Sequence, residues 1–288
     1  MWFLLAASLI WGFSFGIIGQ ILSDLPSAWT SAVRLAVAGI TFAPFVRRTG
    51  YRQVVSLLAV GALQFGLMYW AYMASFRYLQ SYEVVLFTVT TPLFVTVLND
   101  LMERRFYGVN HLAALLAVVG ACAIKWQGTP GNMAWVGVLL VQLSNLCFAA
   151  GQLGYRACFK SGERLRDRDV MFWLYLGGFA IMLPLAASQK PAAVSDPQIT
   201  ALLYLGIVAS GVGFFLWNTG ARRVQPLVLA VANNLKIPLA VAISLLFFGE
   251  RANLLGLLAG SVMILAAFLP SRLPARRAAE QKKLPQTQ

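Results

Sequence analysis

Residues 227–248 read LVLAVANNLKIPLAVAISLLFF, an apolar run broken near its middle by Asn233, Asn234, Lys236 and Pro238. A helix rises about 1.5 Å per residue, so a run of this length crosses a hydrocarbon layer of about 30 Å. A charge at such a depth costs about 2.5–3.5 kcal/mol on insertion scales and marks a functional site by default. Lys236 is therefore a candidate for holding an anion, with Asn233 three positions away on the same helical face and Asn234 beside it. The structural alternative is a lysine that caps carbonyls freed by Pro238.

The rest of the chain has the same character. Of 288 residues, 59% are hydrophobic and 11% are charged; a soluble domain is about 25% charged. Runs of spanning length fall at about 2–22, 28–46, 53–74, 83–101, 109–126, 133–154, 170–187, 199–219, 226–248 and 252–270. The net charge of +13 would suggest nucleic acid in a soluble protein. Here the basic residues sit in short gaps, with no basic module long enough to fold alone, so nucleic acid is excluded as a partner. Three cysteines without a CxxC pair and a single histidine, His111, give no metal, cofactor or disulfide pattern. The first run has no basic segment before it and no cleavage site, so it reads as a retained helix.

The basic residues sort by side. One set of gaps and the tail hold Arg47, Arg48, Arg52, Arg104, Arg105, Arg156, Lys160, Arg164, Arg166, Arg168, Arg222, Arg223, Arg272, Arg276, Arg277, Lys282 and Lys283. The other side holds Arg77, Lys125, Lys190 and Arg251, and Arg34 and Lys236 lie inside helices. The positive-inside rule then places both termini in the cytoplasm of a multi-pass inner-membrane protein. The lipid bilayer is its first partner; monomer and oligomer both stay open.

The two halves share a pattern. Pro92 precedes Glu103-Arg104 as Pro238 precedes Glu250-Arg251, with one gap. Each half holds five spans, and an odd number inverts the second half against the first. The expected fold is an all-α integral membrane protein of ten transmembrane helices in two inverted five-helix repeats, 1–126 and 133–270, followed by a basic tail at 271–288. Inverted repeats place a transport site near the midplane. Pro92 and Pro238 are expected there as mid-span flexible points, freeing the carbonyls of Thr88 and Asn234.

On these residues the chain resembles the drug/metabolite transporter superfamily, in particular its ten-helix EamA-type exporters. The resemblance rests on Trp11-Gly12-Phe13-Ser14 in the first helix, Arg34 within the second, the Pro…Glu-Arg pattern of the fourth and ninth, and Gly256 and Gly260 in the tenth. It covers about residues 2–270 and implies transport of small organic solutes, the class including amino acids, amines, carboxylates, nucleotide-like compounds and drugs. Lys236 is a departure from the general pattern.

The candidate cargo contacts are Lys236, Asn233, Asn234, Trp11, Ser14, Tyr69, Trp70, Thr88, Thr91, Gln142, Asn145 and Trp217. Trp11, Tyr69, Trp70 and Trp217 could stack on cargo or anchor at interfaces; Gln142 and Asn145 share a helical face and could bond cargo or a neighbouring helix. Arg34 is expected mainly to tie its helix to carbonyls of a neighbour. No acid lies mid-span; Glu83, at the outer end of the fourth helix, is a candidate for gating. Two cations and no acid at depth favour a cargo that carries its own negative charge. The expectation is thus a secondary transporter exporting small metabolites, amino acids or related carboxylates, by alternating access. The alternatives are an exporter of amines or cationic drugs, and a membrane interaction protein without transport. A membrane enzyme would need clustered reactive groups at depth, which are absent.

Overall fold

The structure, a computed structural model, describes residues 1–79, 84, 87–125, 135–159, 166–189, 191, 193–239 and 254–269. Among these residues it is all helical. In chain order the helices are α1 Trp2–Ile17, α2 Ser27–Phe42, α3 Tyr51–Ser75, α4 Thr91–Glu103, α5 Gly108–Lys125, α6 Trp135–Ala157, α7 Asp167–Ala187, α8 Asp196–Arg222, α9 Pro226–Ala232 and α10 Leu254–Ala266. Among the described residues, five segments are long and apolar enough to cross a membrane: Ser27–Phe45, Tyr51–Ser75, Trp135–Ala157, Asp167–Ala187 and Asp196–Arg222. Glu83, expected to gate, and the tail 271–288 lie outside the described residues.

The packing is inside-out relative to a water-soluble bundle. Ile40, Leu112, Leu139 and Leu255 face outward, while Gln64, Gln152, Asn218 and Asn234 are completely buried. In hydrocarbon every backbone polar group must be satisfied within the protein, which is why the spanning elements are helices. Apolar side chains then face lipid at no cost, and polar ones collect inside, where they find partners.

α3 and α8 each loosen into a wide π-type turn, at Ala62–Leu67 and Leu205–Val212. Two glycines five residues apart stand at each turn: Gly61 just before the first with Gly66 inside it, and Gly206 with Gly211 inside the second. These allow near contact with a neighbouring backbone. A Cβ on Gly61 would collide with the carbonyl of Leu174 in α7, and one on Gly66 would lie 2.5 Å from Ile181 of the same helix. A Cβ on Gly206 would lie 2.6 Å from Val37 of α2, with Phe42 of α2 next to Gly211. So α3 lies on α7 as α8 lies on α2. Elsewhere α2 packs on α7, α1 on α8, α3 on α6, and α4 on α9. α5 meets α10 where Gly120 faces the Gly260 carbonyl.

Neither proline kinks a continuous helix as expected. Pro92 sits in the first turn of α4, after a 3₁₀ turn at Thr88–Thr90. There its missing N–H leaves no hydrogen bond unmade. The carbonyl it frees, on Thr88, accepts from the Thr91 hydroxyl at 2.7 Å. After α9 the chain tightens into i→i+3 bonds through Asn233, Asn234 and Leu235, and Asn234 O accepts from Ile237 N at 3.1 Å. Both breaks are thus locally satisfied.

Candidate functional site

A cavity enclosing about 580 Å³ of non-protein space, part of it at its open mouth, is lined by Trp11, Ser14, Ile18, Arg34, Met68, Tyr69, Tyr72, Thr88, Ser144, Asn145, Phe148, Phe214 and Lys236. Its walls come from α1, α2, α3, α6, α8, the turn before α4 and the segment after α9. The lining residues of α1 lie in its second half. The opposite end of the bundle, beside residue 1, is marked by Arg223 stacked over Phe3 at 4.6 Å. The cavity therefore runs from mid-bundle toward the end remote from the N-terminus.

Its floor is aromatic. Phe148, Phe214 and Tyr69 form a row with centroids 5.8 Å apart at each step. Trp11 packs against Phe148 at 5.9 Å and Phe214 at 4.8 Å, and its indole N–H donates to Ala209 O at 3.0 Å. A cation stands at each end of the row. The Lys236 ammonium lies 5.8 Å from the Phe148 ring centre, and the Arg34 guanidinium 4.3 Å from that of Tyr69. Both cations are buried, and among the described residues neither has an ion-pair partner. Cation–π contact offsets part of their desolvation but cannot replace an anion.

Arg34 does tie helices together, though through side chains and not through the carbonyls expected. Its Nε donates to Ser210 Oγ at 3.3 Å and an Nη donates to the Tyr69 hydroxyl at 3.1 Å. It thereby joins α2 to α3 and α8 and lines the cavity as well.

Of the expected cargo contacts, the cavity gathers Lys236, Trp11, Ser14, Tyr69, Thr88 and Asn145; six others lie elsewhere. Asn233 turns back to Leu229 O at 2.8 Å, and Asn234 donates to Val89 O at 3.0 Å and Ala117 O at 3.1 Å, pinning the α9 break to the turn before α4 and to α5. The i→i+3 tightening of this segment removes the 3.6-residue register that would have put Asn233 beside Lys236. Thr91 serves its own helix break. Gln142 accepts from Thr90 Oγ1 at 2.7 Å, so its amide is engaged by the turn before α4. Asn145 joins the same cluster, donating to Phe87 O at 2.8 Å, while still reaching the wall. Trp217 is fully buried beneath Trp11 and donates to Gln152 at 3.0 Å. Trp70 is half-buried and packs against the hydrophobic core.

Ile18, Met68, Tyr72, Ser144, Phe148 and Phe214 complete the wall without having been expected. Five of them are apolar or aromatic, and in an apolar helix nothing in sequence separates a cavity wall from a core. Ser144 could have been found beside Asn145.

Beyond the cavity floor, toward the N-terminal end, the interior is closed by paired polar groups. Gln64 and Asn218 exchange amide bonds at 3.0 and 3.5 Å. Further out, Asp167 accepts from Arg222 and from Tyr155, each at 2.8 Å. Arg156 donates to Ala221 O at 2.6 Å and Val224 O at 2.8 Å.

The EamA-like transporter family matches residues 1–126 and 135–272. A protein of Pseudomonas aeruginosa named a probable biotin transporter is 37% identical over 283 residues, covering 96% of this chain and 99% of its own. A biotin transporter of Salmonella typhimurium is 34% identical over 271 residues, 92% of this chain and 90% of its own. The biotin transporter of Escherichia coli K12 is likewise 34% identical, over 272 residues. A solved crystal structure shares the fold with a TM-score of 0.75 at 16% identity, over 96% of this chain and 97% of its own.

Proposed function

The chain belongs to the EamA-like transporter family, a membrane transporter and not an enzyme, and from that premise we propose that it carries a small monocarboxylate of the biotin type, with Lys236 as the counter-charge of the carboxylate. The observation that carries this is the buried Lys236 ammonium, lining the cavity with no ion-pair partner among the described residues. A buried unpaired cation is strongly unfavourable until an anion meets it. The names of the relatives support biotin as that anion.

Export of amino acids is the finer reading that the sequence suggested. It fits less well: an amino acid brings an ammonium group too, and no carboxylate among the described lining residues could receive it. Amines and cationic drugs meet the same objection more strongly, since Arg34 and Lys236 repel them. An aromatic floor suits the thiophane ring and aliphatic tail of biotin.

Movement would follow from two inverted five-helix repeats, 1–126 and 133–270, that rock so as to expose the cavity to either side in turn. The mirrored packing supports this reading: α3 on α7 answers α8 on α2, α1 on α8 answers α6 on α3, and the glycine pairs recur at matching places. Pro92 and Pro238 stand at corresponding breaks. The basic gaps support cytoplasmic termini in a bacterial inner membrane. The cavity would then face the periplasm in this state, behind a closed cytoplasmic end.

The test is counterflow of labelled biotin into proteoliposomes containing the purified chain alone. Unlabelled biotin should compete, while biotin methyl ester, phenylalanine and a simple amine should not. Counterflow of an amino acid with none of biotin would overturn the cargo reading.

A further inference from the structure

Resting on that reading, we propose that Arg34, Tyr69 and Ser210 form a second recognition point, at the far end of the aromatic row from Lys236, that accepts an uncharged carbonyl such as the ureido oxygen of biotin. The argument is a count of hydrogens. A guanidinium carries five N–H donors and no acceptor, and each hydroxyl adds one donor. Within the cluster the acceptors are the two hydroxyl oxygens and the Met73 sulfur, which lies 3.9 Å from Arg34. The Tyr69 and Ser210 hydroxyls are 2.8 Å apart, and only one of them can donate to the other. The second hydroxyl hydrogen has no acceptor among the described residues, and neither do the remaining guanidinium hydrogens. The cluster is therefore rich in donors and short of acceptors, and two of its members, Arg34 and Tyr69, line the cavity.

The cluster is also held rigidly. Ser210 lies in the π-type turn of α8, which leaves carbonyls without their usual helical donors. The Tyr175 hydroxyl reaches from α7 to those of Ser210 and Gly211, at 2.8 and 3.0 Å. Ser210 is thus fixed from behind while its hydroxyl meets Tyr69. Lys236 cannot play this part, since it stands beside Phe148 at the other end of the row. Two different polar points separated by an aromatic floor suit a molecule with a carboxylate at one end, an apolar middle and a neutral carbonyl at the other.

The experiment measures competition against labelled biotin by three ligands. These are biotin, the thiophane-pentanoate that keeps ring and tail but lacks the ureido group, and azelate, a dicarboxylate of similar length. The readout is the affinity ratio of biotin to the thiophane acid. The wild type should favour biotin. Tyr69→Phe, which keeps the ring, should shrink that ratio about tenfold, the upper scale of one lost hydrogen bond; Ser210→Ala should shrink it in the same direction. Lys236→Met should weaken both acids alike and leave the ratio intact. A ratio unchanged in whichever of these two hydroxyl variants folds, or a wild type indifferent to the ureido group, overturns the inference while leaving the Lys236 reading in place. Azelate outcompeting biotin would make the cluster a second carboxylate site and overturn it too. If Lys236→Met loses affinity for neither acid, it is the underlying cargo reading that fails.

Discussion

The two ends of the interior treat charge in opposite ways. Near residue 1, described charges meet partners: Asp167 holds Arg222 and Tyr155, Asp169 lies 3.8 Å from Arg47, and Arg156 caps two carbonyls left open at the end of α8. In the cavity, Arg34 and Lys236 have hydroxyls, sulfur and aromatic faces around them and, among the described residues, no anion. Burial makes an unpaired charge costly in both places. In the paired region the charges hold helices together. In the reading proposed above, the unpaired charges are relieved when the cargo's carboxylate enters.

This contrast separates effects on flux from effects on folding, and the sharpest test is at Lys236. Lys236→Met should lower biotin flux about a hundredfold, the scale of losing one partner of a buried charge pair. Folded yield should hold or rise, since a mid-bundle charge has been removed. Lys236→Arg should recover only part of the flux, because a planar fork does not replace a compact ammonium. Parallel measurement of flux and of monodisperse yield checks this; full flux in the methionine variant would erase the distinction between the two regions.

Asp167→Asn should do the reverse. It strips charge from the bonds to Arg222 and Tyr155 and should cost about 2 kcal/mol of stability, read as a lower melting temperature in detergent. Competition constants for biotin should not move. A changed biotin affinity with unchanged melting would place Asp167 in the transport site.

Trp217→Phe is the mildest test. It keeps the ring beneath Trp11 but leaves Gln152 without its indole donor, at a cost of about 1 kcal/mol. Melting should fall slightly and cargo selectivity should stay as it was. A large selectivity change would show that the cavity floor extends down to Trp217.

Much of this was legible in the residues. Apolar runs with basic gaps announce a helical membrane protein, and the Trp-Gly opening with Arg34 and the two Pro…Glu-Arg segments announces the family. Lys236 and Arg34 stand out because charge at depth is rare for a physical reason. The glycine pairs at 61 and 66 and at 206 and 211 also stand in the sequence. Their meaning is not local, because it depends on which backbone faces each glycine. Asn233 and Asn234 lie off the cavity wall because the segment leaves helical spacing and tightens into i→i+3 turns. Trp217 and Gln142 serve neighbouring side chains instead, since a buried polar group can satisfy a neighbour as readily as a ligand.

Hydropathy and charge are local sums along the chain, so the sequence alone determined the helical membrane class, the family and the two charges at depth. Hydrogen-bond satisfaction in a dry interior is not local. Arg34 finds its partners 35 and 176 residues away, on Tyr69 and Ser210, and Lys236 keeps none among the described residues. Only the tertiary structure could decide which buried polar groups are already paired and which are left facing the cavity, because pairing depends on helix contacts that no stretch of sequence contains.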